Sequence, residues 1–291
     1  MPDYLVKATA ANGQIRAFAV STKAMVETAH TVHHTSPVVT QALGRLLTAG
    51  ALMGSMIKNH DELLTLKIAG DGPIKGLLVT ADGQGNVKGY SYAPDLGDTP
   101  AAPMAVSDAI GDGSLTIIKD MGLKEPYVGF SPLVSGEIAE DLTYYYAKSE
   151  QIPTSVSLGV LLNDDGSVKQ AGGFIIQLMP FTEEETILNL EKVLANTSSM
   201  TKLLDAGKTP EEILKNIFVD LDLNITTTEI TRFLCNCSRD RVTKALIAVG
   251  EKDLEEMIAD GENVEMNCDF CSEKYTFTTE DLRALLKAIR K

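Results

Sequence analysis

Four cysteines, all in the last fifth of the chain, constrain this sequence more than any other feature. Cys235 and Cys237 lie in RFLCNCSRD as C-x-C, and Cys268 and Cys271 lie in NCDFCSEKY as C-x-x-C. A C-x-x-C between two short strands makes a tight turn that aims both sulfurs at one ion. In an extended stretch, residues two apart point to the same side, so C-x-C offers a second sulfur pair. Together they supply a closed, tetrahedral Cys₄ set suited to one structural Zn²⁺, with no open position for catalysis. The intervening residues 238–267 span 30 positions, enough for two helices. Two other readings stand beside this one: four buried core cysteines, and a thioredoxin-like redox pair. The βαβ context that the redox pair needs is missing.

The energetics suggest what such a site does. A unit of about 60 residues is marginal without a staple. Structural zinc contributes roughly 10–16 kcal/mol of apparent binding free energy coupled to folding. Losing the metal is therefore expected to unfold the unit. Zinc-bound thiolates remain oxidisable, and a disulfide is no anionic ligand.

The rest of the chain divides in two. Residues 1–182 read as an α+β domain. Strands YLVKATA and IRAFAV flank an Asn12-Gly13 turn. A helix covers 22–33, and Ser36-Pro37 opens a buried second one through Val39, Leu43, Leu46, Leu47 and Met53. LLTLKIA, KGLLVTA, NVKGYSY, SLTIIKD, PYVGFSP, LTYYYAK and SVSLGVLL follow as strands, and FIIQLMP closes the region. Tyr144, Tyr145 and Tyr146 thus read as a strand with one buried face. Residues 183–230 read as an acidic, all-helical linker. It opens on capping boxes at Thr182–Glu185 and Thr209–Glu212, with Gly207 between the helices. Its apolar positions Leu190, Leu194, Ile213 and Phe218 need a surface to pack on. Residues 231–291 form the cysteine unit. Its expected elements are helices near 240–249 and 253–259, a hairpin from VEMN and KYTFT, and a last helix capped by Thr279.

Net charge narrows the function. The chain carries −14, and no segment is basic: Lys and Arg number 12 against 18 acids in 1–182, 4 against 10 in 183–230, and 10 against 12 in 231–291. This argues against nucleic acid and against an anionic membrane as partners. The start, MPDYLVKATAANGQ, lacks a signal-peptide pattern, and no apolar run is long enough to cross a bilayer, so a cytoplasmic location is expected. No G-x-x-x-x-G-K-[ST] occurs, which points away from an ATP-driven cycle. Function classes still open are a zinc-ribbon binding module for nucleic acid or protein, a thiol-disulfide oxidoreductase and an oxidation-triggered unfolding switch.

RFLCNCSRDRVTKAL followed by NCDFCSEKYTFTTEDL closely resembles the C-terminal switch of the bacterial redox-regulated holdase chaperones, the 33-kDa heat-shock protein family. The resemblance extends through IAGDGPIKGLLV (68–79), the stretch 113–162 and AGGFIIQLMPFTEEE (171–185). It implies an ATP-independent chaperone rather than an enzyme, with Cys235, Cys237, Cys268 and Cys271 as the ligands of one zinc. When reduced, such proteins are folded and inactive. Oxidants form disulfides and expel zinc, the switch unfolds, and the adjoining linker loosens. Apolar surface then becomes available to unfolding client proteins, and active forms associate as homodimers. Four cysteines allow three pairings. Sequence neighbours close the shortest loops, so Cys235–Cys237 and Cys268–Cys271 are the expected bonds, as in the family. Leu190, Leu194, Ile213 and Phe218 are the expected client surface, packed as ordinary core stripes at rest.

Overall fold

The strand β1 (Tyr4–Ala10) turns back into β2 (Ile15–Ser21) through Ala11, Asn12 and Gly13, all at positive φ. The Asn-Gly signal thus marks the turn it was expected to mark. This is a computed structural model, and it describes residues 2–59, 62–97 and 104–290. By internal contacts the chain forms two compact units, Met1–Leu234 and Cys235–Lys291.

The first unit is built around one helix. α1 (Lys23–His33) has its N-terminal amides held by a buried carboxylate: Ala24 and Met25 donate to the Asp3 oxygens at 3.1 and 2.6 Å. α2 (Pro37–Gly54) follows, with Ser36 at the N-cap position and Pro37 as its first residue; the Ser36 hydroxyl makes no capping bond. Fifteen of its eighteen residues are buried, because sheets lie on both sides. Gly44 and Gly50 permit that approach: a Cβ at Gly44 would lie 2.9 Å from Val160, and one at Gly50 2.7 Å from Val79.

One sheet contains β3 (Leu63–Gly70), β4 (Gly76–Asp82) and β5 (Asn86–Ser91). After the short α3 (Val106–Ile110) it adds β6 (Gly113–Asp120) and β7 (Tyr127–Pro132). Its inner residues Leu66, Val79 and Ile117 share one core with Leu43, Leu46 and Leu47 of α2. The segment LTYYYAK, expected to be a strand, is α4 (Ala139–Tyr145) running into a π-helical turn at Tyr146–Glu150. The Asp141 carboxylate explains the difference. It accepts from the amides of Val134, Ser135 and Ile138 and so builds a helix start. Burial of Tyr145 and Tyr146 then overrides the strand preference of three consecutive tyrosines.

The second sheet adds β8 (Thr154–Leu162) and β9 (Val168–Leu178) to β1 and β2. Next come α5 (Glu184–Asn196), α6 (Met200–Asp205) and α7 (Pro210–Ile217). The stretch 183–230 is not all helix, however. It ends in β10 (Asn224–Ile230), which pairs antiparallel with β1 and gives the order β10-β1-β2-β9-β8. β11 (Arg232–Phe233) joins the other sheet parallel to β5, giving β11-β5-β4-β3-β6-β7. The remaining ladders are antiparallel. Such sheets with segregated helices make an α+β fold.

In the second unit, α8 (Arg239–Ile247) and α9 (Glu251–Asp260) precede a hairpin of β12 (Val264–Asn267) and β13 (Lys274–Phe277), and α10 (Thr279–Ile289) closes it. The cap of α10 is Thr278, one residue before the expected Thr279, and it exchanges bonds with Asp281. Among the described residues, no helix is long and apolar enough to cross a membrane.

Candidate metal centre

The hairpin register positions one cysteine pair. Asn267 faces Lys274, and the turn beyond is closed by Cys268 N–H to Glu273 O at 2.9 Å and Ser272 N–H to Cys268 O at 2.8 Å. Cys268 and Cys271 thus sit on one tight knuckle. The other pair lies on extended chain just before α8, where the Ser238 hydroxyl caps the helix by accepting from Arg241. Arg239 ties this segment to the hairpin. Its guanidinium lies 4.4 Å over the Phe277 ring, donates to Thr276 O at 2.9 Å and pairs with Asp281 at 3.1 Å.

The result is a four-sulfur cluster with every Sγ within 4.8 Å of the others, all four residues half-buried. Cys235 and Cys268 are 3.7 Å apart, and Cys237 and Cys271 are 3.3 Å apart. A tetrahedral zinc–thiolate site with bonds of about 2.3 Å places its sulfurs roughly 3.8 Å apart, so the spacing fits such an ion. The four cysteines could hold a metal ion. Both short separations run between the C-x-C and the C-x-x-C, not within either.

Tyr275 is a partner that spacing alone did not reveal: its hydroxyl donates to Cys237 Sγ at 3.2 Å. Burial works to raise the Cys237 thiol, but hydrogen bonds from Tyr275 and the other cysteines outweigh it and lower the pKa. Burial raises Cys235, and it raises Cys271 much further. Without a cation, crowded sulfurs resist shared ionisation; a divalent ion reverses that preference.

The four apolar linker residues are brought together on the far side of the five-stranded sheet. Strand alternation gives that sheet two buried faces: Leu5, Phe18 and Ile175 point toward α2, while Val6, Ala17, Ala19, Phe174 and Ile176 point outward. Leu190, Ile213 and Phe218 pack on the outward set at 5, 1 and 2 % exposure, and half-buried Leu194 joins them. Leu214 and Ile217 complete the contact. Fully buried side chains of this size contribute about 1.5–3 kcal/mol each, so this face supplies on the order of 10 kcal/mol before the entropy of ordering the helices. The Thr209 capping box forms as expected, with Glu212 N–H to Thr209 Oγ1 at 3.2 Å and Thr209 N–H to Glu212 Oε2 at 2.9 Å. The Thr182 box does not: α5 starts at Glu184, and the Thr182 hydroxyl donates to Gln14 O and Met179 O instead.

Comparison with known proteins gives a consistent set of likenesses. The profile of the Hsp33 protein family matches residues 3–278. A 33 kDa chaperonin of Lachnoclostridium phytofermentans is 56% identical over 288 residues, covering 98% of this chain and 99% of the relative. That of Clostridioides difficile is 48% identical over 290 residues, covering 99% of each. The crystal structure of the 33 kDa chaperonin (heat shock protein 33 homolog) of Thermotoga maritima superposes with a TM-score of 0.91 at 35% identity, covering 100% of this chain and 99% of that one.

Proposed function

This chain belongs to the Hsp33 protein family, a family of chaperones and not enzymes, and from that premise we propose that it is a redox-regulated, ATP-independent holdase of the cytoplasm. Binding of unfolded client proteins follows from membership; the switch is the proposed part. In the reduced form, Cys235, Cys237, Cys268 and Cys271 hold one Zn²⁺, which when bound keeps all four sulfurs as thiolates in a closed site. Roles divide along the chain into a domain of 1–182, a linker of 183–230 and a switch of 231–291.

Oxidation acts on the ligands. Each pair of thiolates yields one disulfide and two electrons. A peroxide takes up those electrons and two protons, breaking its O–O bond and leaving two waters. The cluster thus consumes two peroxides and loses the charge that retains a divalent ion. We assign the bonds as Cys235–Cys237 and Cys268–Cys271. Bonds across the two pairs would close loops of more than thirty residues and staple the folded unit, whereas neighbour bonds constrain the unfolded chain little. A switch that opens on oxidation therefore favours neighbour pairing. The unit then keeps only the small core of Leu246, Leu254, Phe277 and Leu282.

The observation that carries this reading is the docking of Leu190, Leu194, Ile213 and Phe218 on the outer face of the β1-β2-β9 sheet, in the segment preceding the cysteines. Release of those helices uncovers both their own apolar stripe and the sheet face beneath. The released form binds unfolding proteins and self-associates as a homodimer. Its acidic balance, −14 overall, suits neither nucleic acid nor an anionic membrane. The test is light scattering of a heat-denatured client with the reduced, zinc-loaded and the peroxide-treated full chain, with zinc release followed in parallel. Suppression by the oxidised form alone is expected. Equal suppression by both forms would overturn the switch.

A further inference from the structure

Arg16 places a cation on the core-facing side of a strand. It shares the side of Phe18 and Val20, which point toward α2, while Ile15, Ala17 and Ala19 point outward. Its Nε donates to Gln177 Oε1 at 2.8 Å. Gln177 is fully buried and its Nε2 donates to Thr154 Oγ1 at 3.0 Å, so the amide is locked and fixes the guanidinium. Among the described residues, Arg16 makes no ion pair. Other partly buried cations of this unit do: Arg45 pairs with Glu137, Lys119 with Glu150 and Lys7 with Glu229.

Arg16 lines a cavity of about 300 Å³ at the C-terminal end of α2. Most of the remaining lining is apolar and rich in methionine. Met53, Leu64 and Tyr146 are buried, Met56 and Ile152 are half-buried, and Met121 is 42 % exposed. The π-helical turn at Tyr146–Glu150 contributes one wall, and such turns recur at functional sites. Two carboxylates besides Glu150 line the cavity, and neither bonds to Arg16. Glu62 accepts from Asn59 Nδ2, and exposed Asp120 accepts from the Gly122 amide. A second donor stands near Arg16. The Tyr146 hydroxyl donates to Met56 Sδ at 3.7 Å, and a thioether is a weak acceptor. Burial raises that phenol's pKa, and the Arg16 charge is near enough to act against it.

We infer that this cavity binds an aliphatic carboxylate, a fatty-acid-like anion of medium chain length, with its head on Arg16 and its tail among the methionines. A planar guanidinium matches a carboxylate with two parallel N–H···O bonds. The carboxylate is also a better acceptor for Tyr146 than sulfur is. Methionine side chains are unbranched and flexible, and they adapt to an unbranched tail. The volume lies at the small end of small-molecule sites, which begin at roughly 300 Å³, and so suits one short chain. Every lining residue lies in the first unit, and none belongs to the cysteine cluster or to the four apolar linker positions. The inference therefore goes beyond the holdase reading and stands independently of it.

Octanoate is the probe, titrated into the reduced, zinc-loaded full chain carrying methyl-labelled methionine. The Met53, Met56 and Met121 signals are expected to move together and saturate with one dissociation constant below about 1 mM, while the other methionines stay still. Octanol and octylamine, which have the tail without the carboxylate, are expected to bind at least tenfold more weakly. Arg16→Gln is expected to weaken octanoate at least tenfold and leave octanol unchanged. Met121→Glu changes an exposed residue, so it is expected to leave the melting temperature unchanged while weakening octanoate and strengthening octylamine. Methionine signals that stay still at every octanoate concentration below micelle formation would overturn the site. Octanol binding as tightly as octanoate, or a folded Arg16→Gln chain binding octanoate undiminished, would overturn the carboxylate assignment. Where Arg16→Gln fails to fold, Met121→Glu decides: equal loss of octanoate and octylamine would overturn it.

Discussion

Truncating one linker side chain should partly activate the reduced protein. Ile213 lies on α7 at 1 % exposure, packed on the outer sheet face with Leu214, Ile217 and Phe218. Ile213→Ala removes buried methyl and methylene groups and leaves a cavity, a change that costs about 2–5 kcal/mol in well-packed sites. If α7 opens locally, its opening free energy falls by that amount. The undocked population then rises roughly 30- to 4,000-fold, at tenfold per 1.4 kcal/mol. Hydrogen exchange on the reduced, zinc-loaded chain measures the effect: the amides of Leu214, Ile217 and Phe218 should exchange faster by that factor, while Leu66 and Ile117 keep their rates. The same sample should suppress client aggregation without oxidant. Leu188→Ala, 59 % exposed on α5, should change neither quantity. Faster exchange with no gain in holding would refute the idea that the docked helices mask the client surface. Unchanged exchange would refute the packing argument itself.

Three further outcomes follow from the same structure. Chelating the metal from the reduced protein should abolish protection at Val264 and Met266 in β12 while the first unit's sheets stay protected, because zinc–thiolate binding of about 10–16 kcal/mol is as large as a whole domain's stability. Tyr275→Phe, which deletes the hydroxyl donor to Cys237, should weaken zinc binding about tenfold in a competition titration and speed its release by peroxide. Burial works to raise Glu150, but hydrogen bonds from Lys119 and Tyr145 outweigh it and hold the carboxyl below 4.5. Its contribution to stability is therefore present above pH 4.5 and is lost as pH falls through the lowered value. Glu150→Gln should flatten that part of the melting-temperature profile.

Local patterns were legible wherever the physics is local. The turn at Asn12-Gly13 and the capping box at Thr209 depend on contacts within four residues, and both form as the sequence predicts. Thr182 carries the same signature, but its hydroxyl is taken by Gln14 and Met179, and contacts across 168 residues do not show in a local window. Tyr144–Tyr146 failed for a related reason: a carboxylate at Asp141 and a core beneath β7 decided for helix over strand. The linker's final strand was missed because Thr226–Ile230 has no apolar alternation of its own; it is a strand because β1 had an open edge.

By itself, then, the sequence determined the chemistry of the cysteine cluster. C-x-C and C-x-x-C each bring two sulfurs together through short chain, whatever the rest of the protein does. Tertiary structure alone decided that Cys235 lies against Cys268 and Cys237 against Cys271, that Tyr275 bonds to one of the sulfurs, and that Leu190, Ile213 and Phe218 lie on the sheet's outer face. An apolar stripe states only that it must be covered. Which surface covers it depends on the partners that the rest of the chain leaves available, and here that surface is the β1-β2-β9 face, outward residues such as Ala17 and Ala19 lying on one side of alternating strands.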